Sequence, residues 1–373
     1  MGIKTNESDG QPVSGQLDQL LSETVHAVIE REKTSFDRAA GEFAGRIVLF
    51  GAGALGRRTL AGMQRIGTRP LAFADNHASA EKFKDGIDGV PVYSPSKAAE
   101  LYGETAVFLI TIWGSFATDK MRDRVRQLQD LGCQHVCPAG IFFWKYPEIF
   151  LPYYPLDLPH KALHSAADIK SALNLFTEGF SRTEYLAQIR FRLLQEYDGM
   201  SSPLGAEQYF APDLFDFRDD EVFVDCGAYD GDTIASLVQQ RGDAFGSVVA
   251  YEPDALNWNK LQDRLRRYPA HITSKIKAMP YALGSKRCTV QFDSTGTETS
   301  SMGQGTISVE CVTLDESLRG ISPTFLKFDI EGAEPDALAG AQETIRRCRP
   351  VLAVSVYHQQ DHLWRIPLQL AEM

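Results

Sequence analysis

Short apolar runs alternate with amphipathic segments in two separate stretches of the chain. The first stretch holds apolar runs at 46–50, 71–75 and 106–113, and segments with helical periodicity lie between and after them. The second stretch begins at Glu221 and holds similar runs at 222–225, 247–251 and 325–328. Strands that alternate with helices are typical of parallel α/β sheets. The pattern therefore predicts two α/β domains in one chain.

The segments around these two stretches predict helical connections. Apolar residues recur at helical spacing from Leu17 to Ile29, which predicts one amphipathic helix used for packing or for an oligomer contact. The segment 141–159 is rich in aromatic residues and proline, which predicts a non-helical strap. We expect a helical N-terminal arm over 1–44, a Rossmann-like domain over 45–142, the strap with a helical connector over 143–206, and the second α/β domain over 207–373.

The composition limits the classes of function. The 38 Lys and Arg residues against 49 Asp and Glu give a net charge of -11, which argues against general binding to nucleic acids or anionic membranes. No apolar run approaches the roughly 20 residues of a membrane span, and the N-terminus lacks an apolar signal core. Six cysteines in 373 residues do not form a dense disulfide framework. We therefore expect a soluble, cytoplasmic protein.

The turn after the first strand of the second domain predicts a cofactor site. The strand ends in VDCGAYDGDT over 224–233, where three residues separate Gly227 from Gly231, so the loop lacks the GxGxxG spacing that suits a pyrophosphate. Asp225 stands at the strand end, where a carboxylate repels phosphate but orients a ligand that carries an amine and a sulfonium. This chemistry indicates S-adenosylmethionine. The alternative is a purely structural role, in which Asp225 only caps the turn.

A second acid predicts the ribose contact. Glu252 follows the strand 247–251 directly, and an acid at the end of the second strand is where one carboxylate holds both hydroxyls of a ribose. The alternative is a surface acid at the start of the next helix. The sequence therefore predicts a nucleoside cofactor across the ends of the first two strands.

Four motifs give the second domain a specific resemblance. FVDCGAYDGDT, YEPD, FLKFDIEGAEPDALAGA and RPVLAVSVYHQ occur in this order, and together they resemble the FkbM family of S-adenosylmethionine-dependent methyltransferases over roughly 208–364. The resemblance implies a seven-stranded methyltransferase sheet and methylation of a hydroxyl oxygen on a small-molecule, sugar or polyketide-like acceptor. Similar proteins continue into two more strands after Asp361–His–Leu–Trp364, whereas this chain stops at Met373, so we expect the strand 351–357 to be a sheet edge.

Individual roles follow from that resemblance. It implies that Asp225, Gly227 and Gly231 line the methionine end, that Glu252 holds the ribose, and that Asp329 and Glu331 lie at the reaction mouth. The cofactor-binding residues expected in this way are Asp225, Gly227, Ala228, Tyr229, Gly231, Thr233, Glu252 and Pro253.

The chemistry of methyl transfer singles out candidate catalytic residues. An alcohol is a poor nucleophile at neutral pH, so a base or a metal must help it lose its proton. Asp329 is the first candidate because the carboxyl end of its strand faces the crevice, and His358 is the second candidate base. If a divalent ion is used, Asp329 and Glu331 favour Mg²⁺ or Mn²⁺ over Zn²⁺. Purely structural roles remain open, including stabilisation of Glu331 by a helix dipole.

The first domain carries a different glycine motif. Gly51, Gly53 and Gly56 lie between a predicted strand and a predicted helix, and Asp75 follows at the distance of a ribose-binding acid. A nucleotide or nucleotide-linked substrate fits this pattern, and so does a tight turn without a ligand.

The predicted fold of the whole chain is α/β, with a C-terminal Rossmann-like class I methyltransferase sheet preceded by a second Rossmann-like domain and a helical connector. The alternative function is a dinucleotide-dependent oxidoreductase or a nucleotide-sensing protein.

Overall fold

The computed structural model describes residues 11–112, 120–201, 208–211, 214–293, 301–302 and 307–373. Trp113, the expected end of one strand, lies outside these residues. The contacts divide the chain into unit 1, which comprises Met1–Pro203 and Gln359–Trp364, and unit 2, which comprises Leu204–His358 and Arg365–Met373. The division into four parts expected from the sequence stays a prediction.

Unit 1 contains a five-stranded parallel sheet. Its strands are β1 (Ile47–Phe50), β2 (Ala72–Ala74), β3 (Val92–Tyr93), β4 (Val107–Ile110) and β5 (His135–Pro138). Their order is β3-β2-β1-β4-β5, and every adjacent pair is parallel. β1 and β4 are buried along their whole length, which explains why their sequences are continuous apolar runs rather than alternating ones.

Ten α-helices lie wholly within unit 1 among the described residues. They are α1 (Val13–Leu20), α2 (Val25–Ala40), α3 (Ala54–Arg65), α4 (Pro95–Tyr102), α5 (Met121–Asp130), α6 (Ala139–Lys145), α7 (Pro147–Phe150), α8 (Pro159–His164), α9 (Ala166–Leu173) and α10 (Gly179–Leu194). Nowhere in the described ranges does a helix combine the length and apolar character that a membrane span requires.

Two sequence expectations for the helices of unit 1 are wrong. The N-terminal amphipathic segment forms two helices, α1 and α2, instead of one. The Thr24 side chain accepts a hydrogen bond from the Ala27 N–H and so caps the N-terminus of α2. The aromatic strap is partly helical, since α6 and α7 lie in it. Pro147 occupies the first turn of α7, where its missing N–H costs nothing, and Phe143 and Phe150 stack in the unit 1 core.

Unit 2 contains the second parallel sheet. In chain order its strands are β6 (Val222–Cys226), β7 (Ser247–Tyr251), β8 (Ile276–Met279), β9 (Ala282–Leu283), β10 (Cys288–Asp293), β11 (Ser301–Met302), β12 (Ile307–Val312), β13 (Phe325–Phe328) and β14 (Val351–Val354). The five-stranded parallel sheet has the order β14-β13-β6-β7-β8, so β14 lies at one edge as expected.

The expected seven-stranded sheet is not what the described residues form. Besides the five parallel strands, unit 2 has a separate four-stranded sheet of order β11-β10-β12-β9. In it β10 pairs antiparallel with both β11 and β12, and much of β12 is exposed. Antiparallel strands tolerate solvent on one face, whereas strands inside a parallel α/β sheet are buried on both faces.

The helices that follow these strands are mostly short. They are α11 (Asp232–Arg241), α12 (Ala255–Leu265), α13 (Ala270–Thr273), α14 (Leu314–Ser317), α15 (Glu334–Ala339), α16 (Gln342–Cys348) and α17 (His362–Ala371). α11 follows β6 and α12 follows β7, so each of these strands leads through a turn into the N-terminus of a helix. This arrangement is the strand-turn-helix geometry expected around a nucleoside.

The turn after β6 lies against the backbone that follows β13. Gly227 has φ +90, and a Cβ atom at this residue would lie 2.0 Å from the backbone oxygen of Asp329. The Asp329 N–H donates to the Cys226 carbonyl at 3.0 Å, which holds the two segments together. Only glycine fits this approach without displacing the backbone that carries Asp329.

We predict that Gly227→Ala destabilises unit 2 more than Gly242→Ala does. Gly242 also has a positive φ, +61, but an added Cβ would meet nothing within 4 Å. The Gly242 variant should lose about 1–3 kcal/mol from its backbone conformation alone, since φ 61 with ψ -115 is unfavourable for residues other than glycine. The Gly227 variant should lose about 1–3 kcal/mol more because of the clash. Urea denaturation followed by circular dichroism measures both losses, and equal losses would contradict the prediction.

Candidate functional site

A buried ion pair lies at the centre of the unit 2 sheet. Asp225 on β6 and Lys327 on β13 are direct partners in the parallel register. The Lys327 Nζ donates to Asp225 Oδ1 at 2.9 Å and to the Gly227 carbonyl at 2.9 Å. Burial lowers the pKa of Lys327, but the charges of Asp225 and Asp329 outweigh this effect and raise it above its ordinary value. The lysine therefore stays charged.

The second oxygen of this aspartate lacks a hydrogen-bond donor within the described part of the chain. Asp225 is fully buried, and its Oδ2 atom has no hydrogen-bond partner among the described residues. A buried carboxylate oxygen without a donor costs free energy unless a ligand supplies one. The site therefore favours a ligand that brings a hydrogen-bond donor to the end of β6.

Glu252 joins the ends of β6 and β7. Its Oε2 atom accepts the Tyr229 N–H at 2.8 Å, and its Oε1 atom accepts the Asp254 N–H at 2.8 Å. Burial raises the pKa of Glu252 to about 7, although these two backbone hydrogen bonds act in the opposite direction. Each carboxylate oxygen has a second lone pair, so the group can still accept hydrogen bonds from a ligand.

The other expected cofactor residues surround these two acids. Ala228 donates its backbone N–H to the Tyr251 carbonyl, Tyr229 has φ 48, and Gly231 has φ 85 where α11 begins. Thr233 is buried in the first turn of α11, and Pro253 lies between Glu252 and the helix-capping Asp254. The residues proposed from the sequence thus come together at the ends of β6 and β7.

A second cluster lies at the ends of β13 and β14. The Tyr209 hydroxyl donates to Asp329 Oδ2 at 2.6 Å, and the Tyr357 hydroxyl donates to Asp329 Oδ1 at 3.2 Å. The Nε2 atom of His358 lies 3.4 Å from Asp329 Oδ1 and 3.1 Å from Glu331 Oε1. All three candidate catalytic residues, Asp329, Glu331 and His358, therefore lie together.

The other face of the His358 ring meets a third carboxylate. The Nδ1 atom of His358 lies 2.8 Å from Glu334 Oε1, an oxygen that also accepts the Ile330 N–H at 2.9 Å. Burial lowers the pKa of His358, but its contacts with Glu331 and Glu334 outweigh this effect and raise the pKa to about 10. A doubly protonated imidazole donates hydrogen bonds and does not accept a proton, so this state does not suit His358 as a base.

Sequence reasoning missed Lys327, Tyr209 and Tyr357 as members of the site. Lys327 had a readable signal, because it is the single charged residue in the apolar run 325–328. Such a residue in a buried strand needs a partner. Tyr209 had no such signal, since it lies about 120 residues before Asp329 in the chain. The fold, not the local sequence, brings its hydroxyl to the carboxylate.

The glycine loop of unit 1 has a related geometry. Gly51 has φ +114, and an added Cβ at Gly56 would lie 2.0 Å from the Gly51 carbonyl, whereas one at Gly53 would meet nothing within 4 Å. Asp75 Oδ2 accepts the Ala52 N–H at 2.8 Å. The glycines thus permit close packing of helix on strand, and the acid after β2 contacts the loop after β1.

Fold and site together define a class of protein. Unit 2 is an open parallel sheet with a glycine-containing turn after its central strand and an acid after the neighbouring strand, which is the arrangement of Rossmann-like enzymes that bind a nucleoside cofactor. Residues 225–373 match the family model of the methyltransferase FkbM domain. This match confirms the resemblance of the four motifs to the FkbM methyltransferases, a family of S-adenosylmethionine-dependent enzymes.

A solved structure has a similar fold. The crystal structure of methyltransferase FkbM from Methylobacillus flagellatus KT matches with a TM-score of 0.76, over 96% of this chain and 92% of that chain. The two sequences are 22% identical, so this likeness concerns the fold. A search of curated proteins finds no match.

We predict that Lys327→Met destabilises the protein by about 3–5 kcal/mol, because it leaves the Asp225 carboxylate buried without its countercharge. The double variant Asp225→Leu/Lys327→Met should recover much of that loss. Lys161→Met is the matched control, because Lys161 pairs with Asp157 at 2.8 Å but is half exposed, and its loss should not exceed about 1 kcal/mol. Urea denaturation measures all three, and a loss in Lys327→Met no larger than in the control contradicts the prediction.

Proposed function

We propose that this enzyme transfers the methyl group of S-adenosylmethionine to a hydroxyl oxygen of a small-molecule, sugar or polyketide-like acceptor. The observation that carries the proposal is the position of Asp329. Asp329 follows β13, and its carboxylate receives hydrogen bonds from Tyr209 and Tyr357. The backbone carbonyl of the same residue lies against Gly227 in the glycine turn. A carboxylate beside the cofactor loop suits an acceptor that must lose a proton.

The residues present fit the cofactor. The buried Asp225 Oδ2 atom without a described partner would accept a hydrogen bond from the ammonium group, and Glu252 would hold the ribose hydroxyls. When bound, the cofactor supplies a methyl group activated by a sulfonium. The residues that would hold it are Asp225, Gly227, Ala228, Tyr229, Gly231, Thr233, Glu252 and Pro253.

The hydroxyl oxygen forms a bond to the methyl carbon while the carbon–sulfur bond breaks and its electron pair stays on sulfur. The hydroxyl proton must leave in the same process. Asp329 serves this step in one of two ways: it accepts the proton, or it holds a divalent cation that lowers the pKa of the hydroxyl. Alignment of the three reacting atoms supplies much of the remaining acceleration.

The nature of the acceptor atom is tested by product analysis. The full chain is incubated with ¹³C-methyl-labelled S-adenosylmethionine and a panel of hydroxylated sugars and polyketides. The carbon chemical shift of the new methyl group distinguishes a methyl ether from methylation at nitrogen or carbon. Methyl ethers support the proposal, and exclusive N- or C-methylation refutes it.

We predict that Asp329→Asn lowers turnover by at least about a hundredfold, the lower end of the contribution of a general base. Cofactor affinity should stay within a few fold of the wild type, because Asp329 is not among the proposed cofactor contacts. Asp336→Asn is the control, since Asp336 lies on the exposed face of α15. Initial rates and calorimetric binding of S-adenosylhomocysteine separate the two effects, and full turnover in the Asp329→Asn variant would remove Asp329 from the mechanism.

We predict that affinity for S-adenosylhomocysteine falls as pH decreases through about 7. Burial raises the pKa of Glu252 to about 7, so the carboxylate that accepts the ribose hydroxyls becomes protonated below that pH. Glu252→Gln should bind at least about tenfold more weakly, because each charge-assisted hydrogen bond contributes about 1.5–3 kcal/mol. The same variant should show little pH dependence in this range. Calorimetric titration measures both effects, and a wild-type affinity that is flat across neutral pH contradicts the assignment of Glu252.

A second candidate function rests on the loop of unit 1. The open position at Gly53 and the contact of Asp75 with the Ala52 N–H favour a nucleotide or nucleotide-linked ligand there. A dinucleotide-dependent oxidoreductase or a nucleotide sensor would use Gly51, Gly53, Gly56 and Asp75. Calorimetric titration of the full chain with NAD and NADP, beside S-adenosylhomocysteine, tests this alternative directly.

A further inference from the structure

We propose that unit 2 binds one divalent cation through Asp329, Glu331 and His358, with Glu334 orienting the histidine. The inference deepens the proposed methylation of a hydroxyl, on which it rests, because the cation would bind the acceptor oxygen. The site differs from the two-acid possibility that the sequence raised, since a buried imidazole is its third ligand.

The distances between the donor atoms fit a single ion. His358 Nε2 lies 3.1 Å from Glu331 Oε1 and 3.4 Å from Asp329 Oδ1, and one ligand atom from each of the three residues lies within 4.8 Å of the others. Adjacent ligands of an octahedral ion with bonds of about 2.1 Å lie about 3.0 Å apart. A cation can therefore take the place between these atoms with small movements of side chains.

The backbone presents these donors from fixed positions. Asp329 and Glu331 come from the turn after β13, and His358 comes from the segment after β14, the strand paired with β13. Glu331 has φ 55, a backbone conformation that is uncommon for residues other than glycine. The fold thus holds Glu331 in an unfavourable backbone conformation, and in this conformation the Glu331 carboxylate lies beside the His358 ring.

Glu334 acts as a positioning residue. It is fully buried, and its Oε1 atom lies 2.8 Å from His358 Nδ1 and accepts the Ile330 N–H. Histidines that bind metals commonly donate their other ring N–H to a carboxylate, which fixes the tautomer and the ring orientation. Here that arrangement leaves Nε2 to face Asp329 and Glu331, and a cation bound there takes the place of the proton that Nε2 carries in the metal-free protein. An exposed group of acids would have no such buried support.

The donor set favours manganese. Two carboxylates are hard oxygen ligands that suit Mg²⁺ and Mn²⁺, whereas imidazole nitrogen shifts the preference from Mg²⁺ toward transition metals. Three protein ligands on an octahedral ion leave positions for the acceptor oxygen and for water. An oxygen bound to the cation gives its proton to water more readily, and the metal keeps its oxidation state throughout. Asp329 then acts as a ligand and not as the proton acceptor.

The test uses the full chain, stripped with a chelator and titrated with Mn²⁺ alone. Loss of the free Mn²⁺ signal in electron paramagnetic resonance gives the affinity, and a pulsed experiment detects coupling to ¹⁴N of a bound imidazole. We expect one saturable site with nitrogen coupling. Glu331→Gln should weaken binding at least about tenfold, as expected for loss of a metal-site carboxylate, and His358→Gln should abolish the nitrogen coupling.

Glu32→Gln is the matched control. Glu32 is a buried acid whose Oε2 atom lies 2.9 Å from His160 Nδ1 in unit 1, so it reproduces an acid–histidine pair without the ligand cluster. Its Mn²⁺ affinity should equal that of the wild type. Thermal denaturation of each metal-free variant shows whether it is folded, and Asp329→Asn replaces any variant that is not.

The outcomes separate this inference from the proposed function. Absence of a saturable Mn²⁺ site, or undiminished binding in both Glu331→Gln and Asp329→Asn, overturns the cation site. Methyl ether formation that continues at the full rate in chelator also overturns its role in the reaction, while the proposed function stands. Exclusive N- or C-methylation despite a nitrogen-coupled Mn²⁺ site refutes the proposed function and leaves the cation site in place.

Discussion

The geometry of the site depends on the close backbone approach of two neighbouring parallel strands at their carboxyl ends. In unit 2 the turn at Gly227 lies so near Asp329 that a single additional carbon would overlap its carbonyl oxygen. The glycine turn and the carboxylate that follows β13 therefore cannot move independently. Ligands of open α/β sheets lie at the carboxyl ends of the strands, and there this contact fixes the spacing between the glycine turn and the backbone of Asp329. Side-chain chemistry is then added to a backbone that is already fixed.

Acids dominate this edge of the sheet, and each has a different environment. Asp225 is paired with the ammonium of Lys327, Glu252 accepts two backbone N–H groups, and Asp329 accepts two phenol hydroxyls. Burial raises the pKa of Glu252 to about 7, so its charge depends on pH in the physiological range. Distinct environments allow several carboxylates to lie close together and still perform different tasks.

Local sequence predicted those parts of the site that lie within a single strand and turn. Asp225 with Gly227, Glu252, and Asp329 each follow an apolar run directly, so their positions at strand ends could be inferred from periodicity. The contacts of Tyr209 with Asp329 and of Glu334 with His358 could not, because they join segments that only the fold brings together. The prolines of the strap at 141–159 predict a break in helical structure, but Pro147 begins a helix, since proline is tolerated in the first helical turn. The separate four-stranded sheet could not be predicted either, because the antiparallel pairing of β10 with β12 cannot be read from the sequence of either strand alone.

The two units show, within one chain, which features the fold requires and which it does not. Gly51 follows β1 and approaches the Thr111 carbonyl, as Gly227 follows β6 and approaches the Asp329 carbonyl. Where β6 and β13 pair Asp225 with Lys327, β1 and β4 pair Leu49 with Leu109, and both leucines are fully buried. Replacement of a buried ion pair by hydrophobic residues of similar volume is often neutral or stabilising. Stability of the fold alone therefore does not account for the charges in unit 2. A ligand that bears its own charge, brought to the end of β6, gives a physical reason for keeping them.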